Sequence, residues 1–231
     1  MTRNQSKILA TLTSANGVGV DVWGHPNTWR LLRNYITGDR GLLEKKHKNH
    51  VNPLKWTTLK RTTIIQDDYI NLEASECQLP SGKTISPFYV NHLNDFVVII
   101  AVTEDGEMLV EWQYRHGVER VLLEVPAGAV EQGEEPETAA CRELMEETGY
   151  QAASMEFLFK IAPNASNTSN YAWCYLAQGA VLSGCQHLDE TEELEVLTVP
   201  LADVRRMLQE GKFEQAVHVA ALYRALEVLG V

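Results

Sequence analysis

No apolar run is long enough to cross a membrane: the longest, Phe96–Val102, has seven residues, against roughly 20 for a spanning helix. Cysteine is scarce. Cys77, Cys141, Cys174 and Cys185 form no Cys-x-x-Cys pair, which excludes a disulfide-built miniprotein and the common zinc patterns. The expectation is reduced thiols in a cytoplasmic protein. Glycine and proline, 15 and 8 of 231 residues, are too few for a collagen-like or low-complexity chain. The opening Met1–Ser14 has no apolar core of secretory-signal length,.

Positive charge is also short, and it is unevenly placed. The net charge is −11, yet residues 1–61 carry a balance of +8 and residues 62–231 one of −19. An acidic body repels nucleic acid and suits a protein that gathers divalent cations. The basic front end has three readings: docking on an acidic surface of the same or a partner chain, plain solvation, or contact with phosphate.

Residues 1–54 are the least readable part of the chain. Asn27–Ile36 reads as a short helix with Asn27 as its N-cap,. Residues 44–50 read as a basic linker or loop. Strand signals then take over at Trp56–Ile65, at Tyr69–Leu79 with Ile70, Leu72 and Ala74 on one face, and at Thr84–Val90 after a Pro80–Gly82 turn,. Phe96–Val102 shows no alternation, so it is expected in the middle of a layered domain, buried on both faces,. A hairpin turn at 104–107 leads to Met108–Tyr114, and further strands are expected at Val121–Val125, Met155–Lys160, Tyr171–Ala177 and Leu194–Val199,. Helices are expected over Pro136–Thr148, closed by Gly149, and over Leu201–Glu210 and Glu214–Leu229, broken at Gly211,. Strands running both ways with few helices between them predict an α+β domain rather than a doubly wound parallel sheet.

Chemistry concentrates in Gly128–Tyr150. Gly128 is followed after five residues by Glu134, and after seven more by Arg142-Glu143-Leu144-Met145-Glu146-Glu147-Thr148-Gly149-Tyr150. On a helix, Glu143, Glu146 and Glu147 stand at i, i+3 and i+4 on one face. Like charges so spaced repel, and a hard divalent cation turns that repulsion into binding. Ala140, Cys141 and Leu144 are expected on the opposite face, against the sheet. The plain alternative is a solvated acidic face with Arg142 and Glu146 as a surface pair.

At every defined position this stretch resembles the Nudix box. Further segments resemble the ADP-ribose pyrophosphatase branch of that superfamily: Trp112–Arg115, Glu124–Gly128, the Pro163–Asn167 loop, with Asn164 where the branch has glycine, and Glu190–Val196. Asn164 is expected to keep the turn by adopting a left-handed backbone. The resemblance spans roughly residues 56–229. It implies a Nudix fold, a mixed β-sheet sandwiched between helices, with a small N-terminal antiparallel β-subdomain. It divides the chain into 1–55 of unknown role, 56–94 for dimerisation, and a 95–231 hydrolase domain.

The resemblance also implies hydrolysis of the pyrophosphate in ADP-ribose or another nucleoside diphosphate sugar, with Mg²⁺ or Mn²⁺ as cofactor. It makes Glu143, Glu146, Glu147 and the Ala127 carbonyl the metal ligands. Arg142 and Glu134 hold each other and shape the loop. Glu192, then Glu190, is the expected general base, with a solvated acidic turn as the alternative. Arg115 is the expected phosphate or ribose contact, its alternative being an ion pair with an acid such as Glu111. Phe88 and Tyr89 are expected at the nucleobase, and Ser166 and Asn167 at the substrate. A homodimer that shares its nucleobase pocket is implied as well. Two other functions stay open: the same chemistry on dinucleotides, nucleoside triphosphates or capped RNA, and a non-catalytic nucleotide-sensing or nucleic-acid-binding module.

Overall fold

The computed structural model describes residues 54–67, 69–189 and 192–231. The expected Asn27–Ile36 helix and the 44–50 linker lie outside the described residues. Every element below belongs to one compact unit, Thr57–Val231.

The unit opens with a three-stranded antiparallel sheet of β1 (Thr57–Gln66), β2 (Asn71–Gln78) and β3 (Thr84–Asn91). Every residue of β1 is exposed, including Leu59, Ile64 and Ile65. The face expected on β2 is not the one buried: Ser75 and Cys77 are buried, while Leu72 and Ala74 are only half-buried. Ser75 and Cys77 keep the period-two alternation of β2, on the face opposite Leu72 and Ala74,. The pairing irregularities at Thr58/Lys60 and Thr63/Ile65 put their extra residues in β1, and the one opposite Ser75–Cys77 puts its extra residue in β3,, so apolarity and burial part on β2 without any break in its alternation.

The second sheet contains β4 (Phe96–Thr103), β5 (Glu107–Arg115), β6 (Arg120–Glu124), β7 (Ala127–Ala129), β8 (Tyr150–Gln151), β9 (Ser154–Ile161), β10 (Ala172–Leu182) and β11 (Leu194–Pro200). Its main order is β11-β5-β4-β10-β8, with β6 on β5, β7 on β4 and β9 on β10. β4 lies parallel to β10 and antiparallel to β5 and β7, so the sheet is mixed. β7 and β8, three and two residues long, are too short to leave a periodic signature in sequence.

The centre of the sheet explains the unalternating run. From β4, Val98 and Ile100 face a layer formed by helices α2 (Leu201–Gln209) and α3 (Ala216–Leu229), with Val204, Leu222 and Leu226. Val97, Ile99 and Ala101 face the other way, onto helix α1 (Pro136–Thr148), with Ala139, Ala140 and Leu144. Cys141, expected in that layer, is exposed instead. Among the described residues all four cysteines are free.

The helix termini follow local chemistry. α1 has Pro136 in its first turn and Glu137 near the positive end of the dipole,. It ends at Gly149, whose φ of 74° lets its N–H reach the Met145 carbonyl,. α3 begins at Ala216, two residues later than expected. Glu214 is engaged by Arg120 and Gln215 by Glu124, and Gln215 keeps an extended backbone as N-cap.

Candidate active site

Helix α1 presents Glu143, Glu146 and Glu147 in three different environments. Glu147 is buried, and its Oε2 accepts the Ala127 N–H of β7 at 2.9 Å. Glu143 lies under Gly128: a Cβ on that glycine would stand 1.9 Å from the Glu143 Cδ. Only glycine lets the β7 backbone pass this close to the carboxylate. Glu146 is the open member, its side chain 42% exposed.

One guanidinium ties this face to the preceding loop. Arg142 grips Glu134 with Nε and Nη2 at 3.1 and 3.0 Å. Its Nη1 donates to Glu143 and Glu146, both at 2.8 Å, and its Nη2 to the Ala129 carbonyl at 2.9 Å. Glu134 also accepts the Glu131 N–H. The pairing of Arg142 with Glu146 is thus one strand of a larger net.

A fourth carboxylate joins the cluster from the sheet. Glu111 of β5 is completely buried, and neither of its oxygens has a hydrogen-bond partner; two residues on, the buried Oε1 of Gln113 is unpartnered as well. Burial first, and neighbouring carboxylates second, push the proton affinities of Glu111 and Glu147 well above the usual range,. Burial likewise raises Glu143, against the pull of Arg142. Sequence reading placed Glu111 only as a partner for Arg115, and the structure corrects that. Arg115 forks onto the buried Glu124, with Nε at 3.0 Å and Nη2 at 2.7 Å. The overlooked signal was a glutamate within a strand, beside an apolar run and in step with the inward-facing Leu109.

Glu124 also accepts from Gln215 at 3.0 Å and lies 3.9 Å from His218. Burial outweighs that neighbour and lowers the His218 imidazole to about 4. It is therefore neutral near pH 7, and its Nδ1 accepts the Val125 N–H at 3.4 Å.

A cavity of about 680 Å³ has walls that include Asp95, Arg115, Ala127, Gly128, Glu192 and His218; Glu111, Glu134, Arg142, Glu143, Glu146 and Glu147 are not in its lining, and the cluster meets it through the β7 backbone at Ala127 and Gly128. Glu192 is half-buried and lies near enough to raise Glu111, Glu143 and Glu147 through its charge. Its N–H is held by the Asp189 carbonyl at 2.9 Å. Glu190 lies outside the described residues. Phe88, Tyr89, Ser166 and Asn167 are not among the residues lining this cavity. Phe88 and Tyr89 sit on β3, where Tyr89 is exposed. Ser166 and Asn167 bond to Asn164 within their own loop, and that loop is pinned to β3 by the Asn91 N–H donating to the Asn167 carbonyl. Asn164 does not adopt the expected left-handed backbone. Among the described residues only Glu119 combines a side chain with positive φ, and the Asn164 carbonyl instead accepts the N–H groups of Asn167 and Thr168.

Among the described residues no three acidic, histidine or cysteine side chains already converge as a metal-ligand set. The donor chemistry nonetheless fits a hard divalent cation: carboxylates on one helix face, a neighbouring backbone strand, and buried acceptor oxygens that lack a donor,.

Residues 92–222 match the NUDIX domain family, and residues 56–91 match the nucleoside diphosphate sugar hydrolase N-terminal domain. The chain is 32% identical over 180 residues to the ADP-ribose pyrophosphatase of Bacillus subtilis, covering 75% of this chain and 97% of that one. It is 30% identical over 172 residues to the methanol dehydrogenase activator of Bacillus methanolicus, covering 74% and 92%. Among solved structures, one described as an ADP compounds hydrolase superposes with a TM-score of 0.70 at 26% identity, over 78% of this chain and 97% of the other.

Proposed function

The chain belongs to the Nudix family and is a Nudix pyrophosphohydrolase, and from that premise we propose that it cleaves ADP-ribose or a closely related ADP-sugar into AMP and a sugar phosphate. The observation that carries this reading is the cavity itself. It lies against the Gly128 edge of the carboxylate cluster and has Arg115 and Glu192 in its walls, so an anionic diphosphate and a water can meet there. The names of the relatives and the N-terminal domain matched at residues 56–91 support the same substrate class.

Chemically, a water oxygen bonds to one phosphorus while the bridging P–O bond breaks, leaving one phosphate on each product. Mg²⁺ or Mn²⁺ bound by Glu143, Glu146, Glu147 and the Ala127 carbonyl would offset the substrate's negative charge and lower the pKa of a bound water. Glu192 stands at the cavity wall to take the proton that the water loses. Arg142 and Glu134 hold the loop and helix together so that the carboxylates keep their spacing. With Nε and Nη2 held by Glu124, Arg115 presents a fixed positive charge to the diphosphate rather than a mobile fork. The expected result is AMP release from ADP-ribose that depends on added Mg²⁺ or Mn²⁺. It is checked on a panel with ADP-glucose, GDP-mannose, NADH, diadenosine polyphosphates and dGTP. Much faster turnover of dGTP or a diadenosine polyphosphate than of any nucleoside diphosphate sugar would overturn the substrate assignment.

The same reading makes the protein a homodimer. β1 leaves Leu59, Ile64 and Ile65 exposed and Tyr89 lies open on β3, an apolar surface of the kind that subunits cover. Phe88 and Tyr89 would then meet the nucleobase in a pocket built with the second subunit. Light scattering at micromolar concentration should give about twice the 25.9 kDa of one chain; full activity at the single-chain mass refutes this. Free cysteines agree with residence in the cytoplasm, and among the described residues no helix is long and apolar enough to cross a membrane.

A further inference from the structure

We infer that Glu111, on the sheet rather than on helix α1, is an additional ligand of the divalent cation, facing Glu147 and Glu143 across the site. The inference rests on the reading of the helix face as a cation site.

Strand geometry sets the direction. Successive side chains alternate, so Leu109, Glu111 and Gln113 share one face of β5. Leu109 is packed in the layer beneath α1 with Ala140 and Leu144, and so is Val196, which stands opposite Glu111 on β11. Glu111 therefore points to the side where α1 carries Glu143 and Glu147. Among its largest electrostatic neighbours are the carboxylates of Glu124, Glu192 and Glu143, and Glu147 feels Glu111 more strongly than any other charge.

The hydrogen-bond inventory is what demands an occupant. Both Glu111 oxygens and the Gln113 Oε1 are buried acceptors without a donor. Arg115, a cation near enough to favour the ionised form of Glu111, already directs two of its nitrogens to Glu124. A buried carboxylate left without a partner is costly, and an apolar residue of similar size would serve a purely structural role better. A proton shared with Glu147 would satisfy one oxygen and leave the other, with Gln113, unmet. A divalent cation takes several carboxylate and carbonyl oxygens at once, which is the set present here.

The test is a Mn²⁺ titration of the full chain, following free Mn²⁺ by electron paramagnetic resonance, with thermal melts at zero and saturating Mn²⁺. Wild type, Glu111→Gln and Glu147→Gln are compared, and Glu111→Val carries the same readout if the glutamine variant does not fold. The expected result is a loss of about tenfold or more in Mn²⁺ affinity for the Glu111 variant. Its metal-free melting temperature should be at or above that of wild type, with a smaller rise on adding Mn²⁺. Mn²⁺ binding at wild-type affinity in the Glu111 variant, with binding lost in Glu147→Gln, overturns the inference and leaves the helix-face site standing. No Mn²⁺ binding by wild type, or undiminished binding in Glu147→Gln, overturns the helix-face site itself.

Discussion

Glu147→Gln is expected to fold normally and to lose at least about 10²-fold in turnover, the scale seen when a key charge-stabilising group is removed. The side chain keeps its length, and its amide oxygen can still accept the Ala127 N–H that now holds Oε2 at 2.9 Å. The new amide brings a donor into the neighbourhood of the Glu111 carboxylate, whose oxygens lack one. Glutamine also replaces a buried acid whose ionised form burial and the Glu111 carboxylate both disfavour, so the metal-free melting temperature should hold or rise. A neutral amide oxygen is a weak ligand for a hard cation. Steady-state assays with ADP-ribose and Mg²⁺, alongside circular dichroism melts, separate the two effects. Near-normal turnover would remove Glu147 from the reaction.

Gly128→Ala should have a comparable effect by a different route. Gly128 has no positive φ, so the backbone accepts alanine, and its pairing with Val97 uses main-chain atoms alone. Space is the problem. The new methyl would lie 1.9 Å from the Glu143 Cδ and 2.1 and 2.2 Å from its oxygens, so the carboxylate must swing aside by more than about an ångström to reach ordinary contact distance. The tip of a glutamate can move this far at little cost to the fold, and melting should shift by only a few degrees. With Glu143 holding the cation as proposed, a displacement on that scale costs about 10²-fold in rate. If Gly128→Ala retains wild-type kcat and metal dependence, the close approach of β7 to Glu143 has no part in catalysis.

What could be read from sequence divides along a physical line. Helix α1 was legible to the residue because its signals are local: Pro136 starts it, Gly149 ends it, and the i, i+3, i+4 spacing fixes which carboxylates share a face,. The burial of β4 was legible because an unalternating run has two apolar faces wherever it lies. The buried face of β2 was not, because alternation fixes only that Leu72 and Ala74 lie opposite Ser75 and Cys77, and which of the two faces is covered depends on what packs against it,. The start of α3 was misjudged because Glu214 and Gln215 are taken up by Arg120 and Glu124, about 90 residues away in the chain.

The site divides in the same way. The sequence by itself determined the family, the helix-face carboxylates and the pairing of Arg142 with Glu134, all written within 23 consecutive residues, Gly128–Tyr150. Tertiary structure alone decided that Arg115 is held by Glu124 rather than by Glu111, that Glu192 shares a cavity wall with Gly128, and that Glu111 stands buried and unpartnered beside Glu147. Local rules govern dihedrals and the spacing of side chains along one element. Which charge lies against which, and how far water is kept from it, depends on how β5, β6 and α1 pack, and no stretch of chain records that alone.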